Sequence, residues 1–301
     1  MSADPRDVLT RPAPPPDQVL RYGPGPQQVA DLRLPPGWGA EGGGAWRARD
    51  VGQAPVLVVL LHGGFWRAAF DRAHLGPLSA ALAAERFVVC TPEFRRTGGS
   101  AGGGWPGTFD DVAAAVDMLP ELVRSAVGDT GDGWPGAAAK WRLVLAGHSA
   151  GGHLALWSAG RHRLDPGNPW YVAGGSDGAD VTGVIALAPV SELAACYQLG
   201  LDGDAAGDLM GGGPGRWPER YAAADPAGLV PLGVPVRIVH GTADDRVPFA
   251  MSREFAERAR AARDSVQLDV LPGGGHFDVI DPLSRAWPAV LGAFRAVGEP
   301  G

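Results

Sequence analysis

The residues best suited to covalent chemistry are Gly147-His148-Ser149-Ala150-Gly151, followed by Gly152 and His153. They form a G-x-S-x-G pattern between an apolar run, 141–146, and an Ala-rich stretch of helical composition, 150–160. A serine on a sharp strand-to-helix turn has a strained backbone, so the residues two before and two after it must be small. The turn lifts Oγ clear of the sheet, and the amides of the new helix N-terminus point at whatever the serine attacks. The chemistry that follows is nucleophilic attack on a carbonyl. A serine hydroxyl is a poor nucleophile by itself, so a base and a carboxylate that orients the base must exist elsewhere.

Where this motif ends a strand, its partners follow in the order Ser, acid, His, each in a loop after a later strand. The apolar run 234–240 leads into Gly241-Thr242-Ala243-Asp244-Asp245-Arg246-Val247-Pro248. The run 266–271 leads into Pro272-Gly273-Gly274-Gly275-His276-Phe277. Of the histidines at 62, 74, 148, 153, 162, 240 and 276, His276 alone lies downstream of the acid loop. Asp244 and Asp245 compete for the acid. The H-G-x-x-D spacing from His240 favours Asp244 and leaves Asp245 to a loop salt bridge with Arg246. Asp278, two residues past the base, is expected to stabilise its own loop.

Attack on a carbonyl creates an oxyanion that needs two or more donors. One is the amide of Ala150. The others are expected from Val56-Leu57-Val58-Val59-Leu60-Leu61-His62-Gly63-Gly64-Phe65-Trp66-Arg67, where a buried strand exits through two glycines. Without Cβ atoms, Gly63 and Gly64 let the backbone approach a ligand closely. His62 reads as a structural hydrogen-bonder for this loop, and His148 and His153 as packing or anchoring residues. Trp66 has two readings of equal standing: the wall of an acyl pocket, or packing that holds the donors rigid. Arg67 would serve either a substrate carboxylate or an i, i+4 salt bridge with Asp71.

The elements that must position these groups alternate along the chain. Strand-like runs fall at 29–34 (an edge strand by its period of two), 55–61, 87–90, 141–146, 181–187, 234–240 and 266–271. Helical stretches fall at 68–84, 108–127 (with Thr108 as N-cap), 150–160, 250–263 and 282–297. Such alternation means a mostly parallel sheet covered by helices, an α/β architecture. Residues 190–232 break the rhythm, with Gly211-Gly212-Gly213-Pro214-Gly215, and read as a cap or lid insertion. Residues 1–20 are Pro-rich and polar, a flexible arm or a surface strap, and 21–301 form one domain.

Composition narrows the function. At 301 residues the chain can bury a full core, and a net charge of −7 without basic blocks excludes nucleic acid and anionic membranes as expected partners. Cys90 and Cys196 match no metal or redox spacing and read as buried thiols, so neither a metal nor another cofactor is expected. No signal-peptide pattern or membrane span is visible, which predicts a cytoplasmic protein. The site chemistry predicts a small-molecule substrate, and the sequence leaves monomer and homodimer open.

The quoted motifs resemble the α/β-hydrolase family. More narrowly, His62-Gly63-Gly64-Phe65-Trp66 with Gly147-His148-Ser149-Ala150-Gly151 resembles the branch containing kynurenine formamidases (arylformamidases) and small carboxylesterases. The acid loop His240 to Pro248 is similar to that of esterases and prolyl-oligopeptidase-type peptidases, where the first aspartate is the acid, which supports Asp244. The resemblance implies a twisted, mostly parallel sheet of about eight strands and hydrolysis of a small ester or an aryl formamide through Ser149, Asp244 and His276. A non-catalytic binding protein on the same fold is the remaining alternative. Phe65, Trp66 and Trp105, with Cys196 and Tyr197, are the candidates for an aromatic substrate pocket.

Overall fold

The apolar run ahead of the paired glycines becomes β3 (Val56–Leu61). The computed structural model describes residues 4–38, 55–99, 102–127, 141–173 and 181–298. In it, β3 pairs in parallel with β4 (Val88–Pro92) on one side and β5 (Arg142–His148) on the other. Successive side chains of a strand point to opposite faces. Leu57, Val59 and Leu61 accordingly enter one core, and Val58 and Leu60 the other. A strand buried on both faces has no polar side to display, hence its unbroken apolar composition.

The remaining strands are β1 (Gln18–Arg21), β2 (Val29–Arg33), β6 (Val181–Leu187), β7 (Val236–Gly241) and β8 (Val266–Leu271). The sheet order is β1-β2-β4-β3-β5-β6-β7-β8. The β1/β2 and β2/β4 pairs are antiparallel, and every later pair is parallel. Helices cover both faces. On one lie α2 (Gly107–Val127), α3 (Ala150–Gly160) and α7 (Phe249–Ala261), contributing Phe109, Leu154 and Phe255. On the other lie α1 (Gly76–Ala84) and α8 (Trp287–Gly298), contributing Leu78, Leu82, Leu291 and Phe294. Every residue of α3 is buried, so this helix presents no polar face. Between β6 and β7, three short helices, α4 (Leu193–Gln198), α5 (Ala205–Met210) and α6 (Pro218–Ala224), bury Cys196, Leu209, Met210 and Tyr221 in the same core as α3. Among the described residues, no helix is long and apolar enough to cross a membrane.

Several elements differ from the sequence-based expectation. β2 is not the edge: β1 pairs outside it, a four-residue strand of mostly exposed side chains with little hydrophobic signal. The helix expected over 68–84 is a turn, a 3-10 segment (Arg72–Leu75) and then α1. Asp71 caps the 3-10 segment through Ala73 N, and Pro77, which has no amide to donate, sits in the first turn of α1. The helix expected from 282 starts at Trp287, after a separate 3-10 turn (Asp278–Ile280). Thr108 lies inside α2, where its hydroxyl accepts from Gly104 N and donates to Arg95 O.

Residues 4–17 pack as a strap rather than standing free as an arm. Their 3-10 helix (Pro5–Leu9) buries Val8 completely beside Leu75 and Leu78. Arg11 forms a two-pronged ion pair with Asp281, and the Pro15 carbonyl accepts from Arg33.

Candidate active site

β5 ends at His148, and Ser149 turns the chain into α3 with φ 56° and ψ −118°. Positive φ is strained for a residue with a Cβ. β6 and the residues just after it hold it there: Ser149 N donates to Leu187 O at 2.8 Å, and Ser149 O accepts from Val190 N at 3.1 Å. The flanking glycines follow from packing. A Cβ on Gly147 would meet Gly151 O at 2.1 Å, and a Cβ on Gly151 would meet Leu61 O at 2.1 Å. Nothing larger than glycine fits either place, which is the G-x-S-x-G pattern in steric terms.

The loops after β7 and β8 interlock. A Cβ on Gly241 would fall 2.1 Å from Gly274 O, and Ala243 N donates to that carbonyl at 2.9 Å. This crossing brings Asp244 against His276, whose Nδ1 lies 2.7 Å from Asp244 Oδ2. His240 Nε2 reaches the same oxygen at 2.9 Å and turns its Nδ1 to the Ser252 hydroxyl at 2.7 Å. The other carboxylate oxygen accepts from the amides of Arg246 and Val247, each at 2.8 Å. Burial by itself would raise the Asp244 pKa. The bonds from His240, His276 and Val247 N outweigh that and hold it far below the usual carboxylate range. With Nδ1 committed to a carboxylate, His276 keeps Nε2 as its lone-pair nitrogen. Asp245 points outward, 3.8 Å from Arg246, and Asp278 accepts from Gly275 N within its own loop.

His148 ties His276 to the serine turn. Its Nε2 lies 3.0 Å from the His276 carbonyl, which can only accept, so Nε2 carries the proton. Burial first, and then the adjacent His276, push the His148 pKa well below its ordinary value and keep the ring neutral. His153 does not face the site's reacting groups: it bonds the Ala224 carbonyl of α6 at 2.9 Å.

The glycine loop is anchored from two sides. His62, fully buried, reaches Gly63 O and Glu93 Oε1, both at 2.9 Å, and stacks on Phe94 with centroids 4.3 Å apart. Burial would raise the Glu93 pKa, but His62 and Arg96 bring it down to about 2. Arg67 does not pair with Asp71. It spans to the insertion, with Nε 2.6 Å from Asp202 and Nη1 2.9 Å from Asp208. Between these anchors Gly64, Phe65 and Trp66 all have positive φ, and Trp66 O accepts from Thr97 N at 2.8 Å.

A cavity of about 210 Å³ joins these groups, lined by Ser149, His276, His148, Gly64 and Phe65, with Phe70, Phe277 and Leu9 among its apolar walls. Gly63 packs behind it, where a Cβ would sit 3.1 Å from Ser149 Cβ. Of the aromatic candidates, Phe65 lines this cavity, whereas Trp66 and Trp105 do not. Trp66 is buried edge-on against His153 at 5.2 Å, and Trp105 packs on Trp170 at 4.8 Å. Trp66 therefore packs beneath the loop and does not line this cavity. Tyr197 sits near Tyr221, 6.4 Å between centroids, and Cys90 and Cys196 are buried free thiols. Sequence reasoning missed Phe70, Phe277, Leu9 and the bond from His240. Only the H-G-x-x-D spacing hinted at the last.

Among the described residues, no group of three or more His, Cys, Asp or Glu is placed to hold a metal. The eight-stranded sheet with a serine turn after β5 defines the α/β-hydrolase fold. Within it the chain belongs to the BD-FAE family, whose model matches residues 47–259. The fold recurs in esterase B from Lactobacillus rhamnosis, at 19% identity and TM-score 0.71 over 98% of this chain and 90% of that one. A truncated carbohydrate esterase from gut microbiota is 18% identical, with TM-score 0.68 over 94% of this chain and 96% of that one. A thermophilic esterase from the planctomycete Thermogutta terrifontis, propionate-bound, is 21% identical, with TM-score 0.59 over 93% and 90%. No curated protein matches the chain.

Proposed function

We propose that the chain is a carboxylic ester hydrolase that works through an acyl-enzyme. The observation that carries this reading is the Asp244–His276 bond of 2.7 Å beside a cavity that also exposes Ser149 on its strained turn. His276 Nε2 takes the Ser149 hydroxyl proton as Oγ attacks the substrate carbonyl, and the amides of Gly63, Gly64 and Ala150 receive the oxyanion. Collapse expels the alcohol, which leaves with the proton from His276. Water, deprotonated by the same imidazole, then releases the acid and regenerates Ser149. The insertion over 190–232 acts as the cap above this site.

An aryl formamide would be attacked by the same groups. Esters are the preferred substrates because the similar solved structures are esterases by name and none of those described above is a formamidase. Two measurements test the reading. Wild-type protein is expected to take up a fluorophosphonate label that Ser149→Ala does not; absence of label on the wild type overturns the reading. Turnover of p-nitrophenyl acetate is expected to exceed that of N-formylkynurenine, and the reverse order would make the chain a formamidase.

A further inference from the structure

The cavity carries two guanidinium groups that the hydrolytic steps do not use. Arg6 comes from the strap's 3-10 helix, and Arg246 from the acid loop. Asp245 stands between them, 4.0 Å from Arg6 Nη2 and 3.8 Å from Arg246 Nε. Both separations exceed hydrogen-bond length, so Asp245 steers the two cations without occupying their donors. Arg246 Nε is buried with no hydrogen-bond partner.

Two cations against one carboxylate leave an excess of positive charge at the cavity, in a chain of net charge −7. Nothing else on the wall cancels it. Asp202 is engaged by Arg67 at 2.6 Å. His148 is held neutral as described, and burial with the neighbouring His62 lowers His74 to about 4. The rest of the wall is largely apolar: Leu9, Phe65, Phe70 and Phe277. A hydrophobic cavity with serine and histidine in its wall and paired guanidinium groups beside them matches a molecule with an apolar middle and an anionic end.

We propose that Arg6 and Arg246 form a carboxylate subsite, so that the preferred substrate is an ester whose acyl or alcohol part bears a carboxylate across a short apolar spacer. This rests on the ester-hydrolase reading. The small volume of the cavity keeps the spacer short.

The test compares two esters of equal chain length, p-nitrophenyl valerate and p-nitrophenyl hemiglutarate, alongside glutarate binding to Ser149→Ala by calorimetry. The wild type is expected to favour the hemiglutarate in kcat/KM by about tenfold. Arg6→Ala and Arg246→Gln should each cut that ratio by about three- to tenfold, with Arg6→Lys restoring part of it. Asp245→Asn should raise it. Glutarate should bind Ser149→Ala and lose affinity when either arginine is also removed. A wild-type ratio at or below one, or a ratio and a glutarate affinity that neither arginine variant moves, overturns the subsite. If neither ester is turned over, the hydrolase reading fails, and the glutarate arm alone decides for or against the subsite.

Discussion

At the scale of single residues, the site's least expected feature is the double use of one oxygen. Asp244 Oδ2 accepts from His276 at 2.7 Å and from His240 at 2.9 Å, while Oδ1 is filled by two amides. Four donors fix the carboxylate plane, and that plane sets where the His276 ring points. Asp244→Asn would put an amide where an acceptor is needed and stabilise the wrong imidazole tautomer. Its kcat is expected to fall by about ten-thousandfold. His240→Phe keeps a ring of similar size and removes one donor. Its kcat should fall by about tenfold with KM little changed, because Asp244 remains but is less well held. Steady-state kinetics on both variants checks this, with melting temperature as the folding control. An undiminished kcat in His240→Phe would remove His240 from any positioning role.

At the scale of elements, what could be read from the sequence was what short-range geometry dictates. Gly147 and Gly151 are specified by contacts with each other and with the end of β3, so the motif announces itself in five letters. The strands β6 and β8 and helix α3 fall where pattern places them: β6 is mostly apolar, β8 alternates apolar and polar residues between glycine-rich and polar loops, and α3 opens directly on the serine turn. Partners far apart in the chain left no local trace. Nothing around Glu93 marks it as the buried anchor of His62, which is 31 positions away. Nor does Arg67 announce Asp202, 135 positions off; its local sequence offers only Asp71, at i, i+4, as a partner. The Glu93 anchor carries a pH signature. Its pKa of about 2 in the folded chain lies below the ordinary 4.5, so the fold prefers the ionised form. The stabilisation is therefore full above about pH 4.5 and is lost as pH falls toward 2. At 4% side-chain exposure the anchor is only weakly screened. Glu93→Gln should cost on the order of 3 kcal/mol at pH 7. The gap between variant and wild type should narrow by about half or more on acidification in urea titrations run from pH 7 to pH 3. A gap independent of pH would mean that packing, not charge, holds the glycine loop.

At the scale of the whole molecule, the strap brings Arg6 and Leu9 to the cavity, although the sheet and the other groups around it come from later residues. Residues 4–17 run from the acid loop, where Arg6 lies 4.0 Å from Asp245, past Asp281 beyond His276, to the start of α1 and to β2. They are fastened by Val8 in the core, by Arg11 on Asp281 and by the Pro15 carbonyl on Arg33. Leu9 closes one wall of the cavity on the way. Two consequences separate cleanly. Val8 is fully buried, so Val8→Ala should lower stability by about 1–2 kcal/mol through lost burial and the hole it leaves, without changing which esters are accepted. Leu9→Ala, at a half-buried position, should cost about 1 kcal/mol of stability and lengthen the cavity. Its preference among p-nitrophenyl acetate, butyrate and octanoate should then move toward the longer acyl chains. Removing residues 1–11 combines both effects and also releases Asp281 from its partner, so its melting temperature should fall below that of either point variant. If the truncated chain kept the wild-type order of acyl preference, the strap would not set acyl length, and the wall that selects it would have to be Phe65, Phe70 and Phe277.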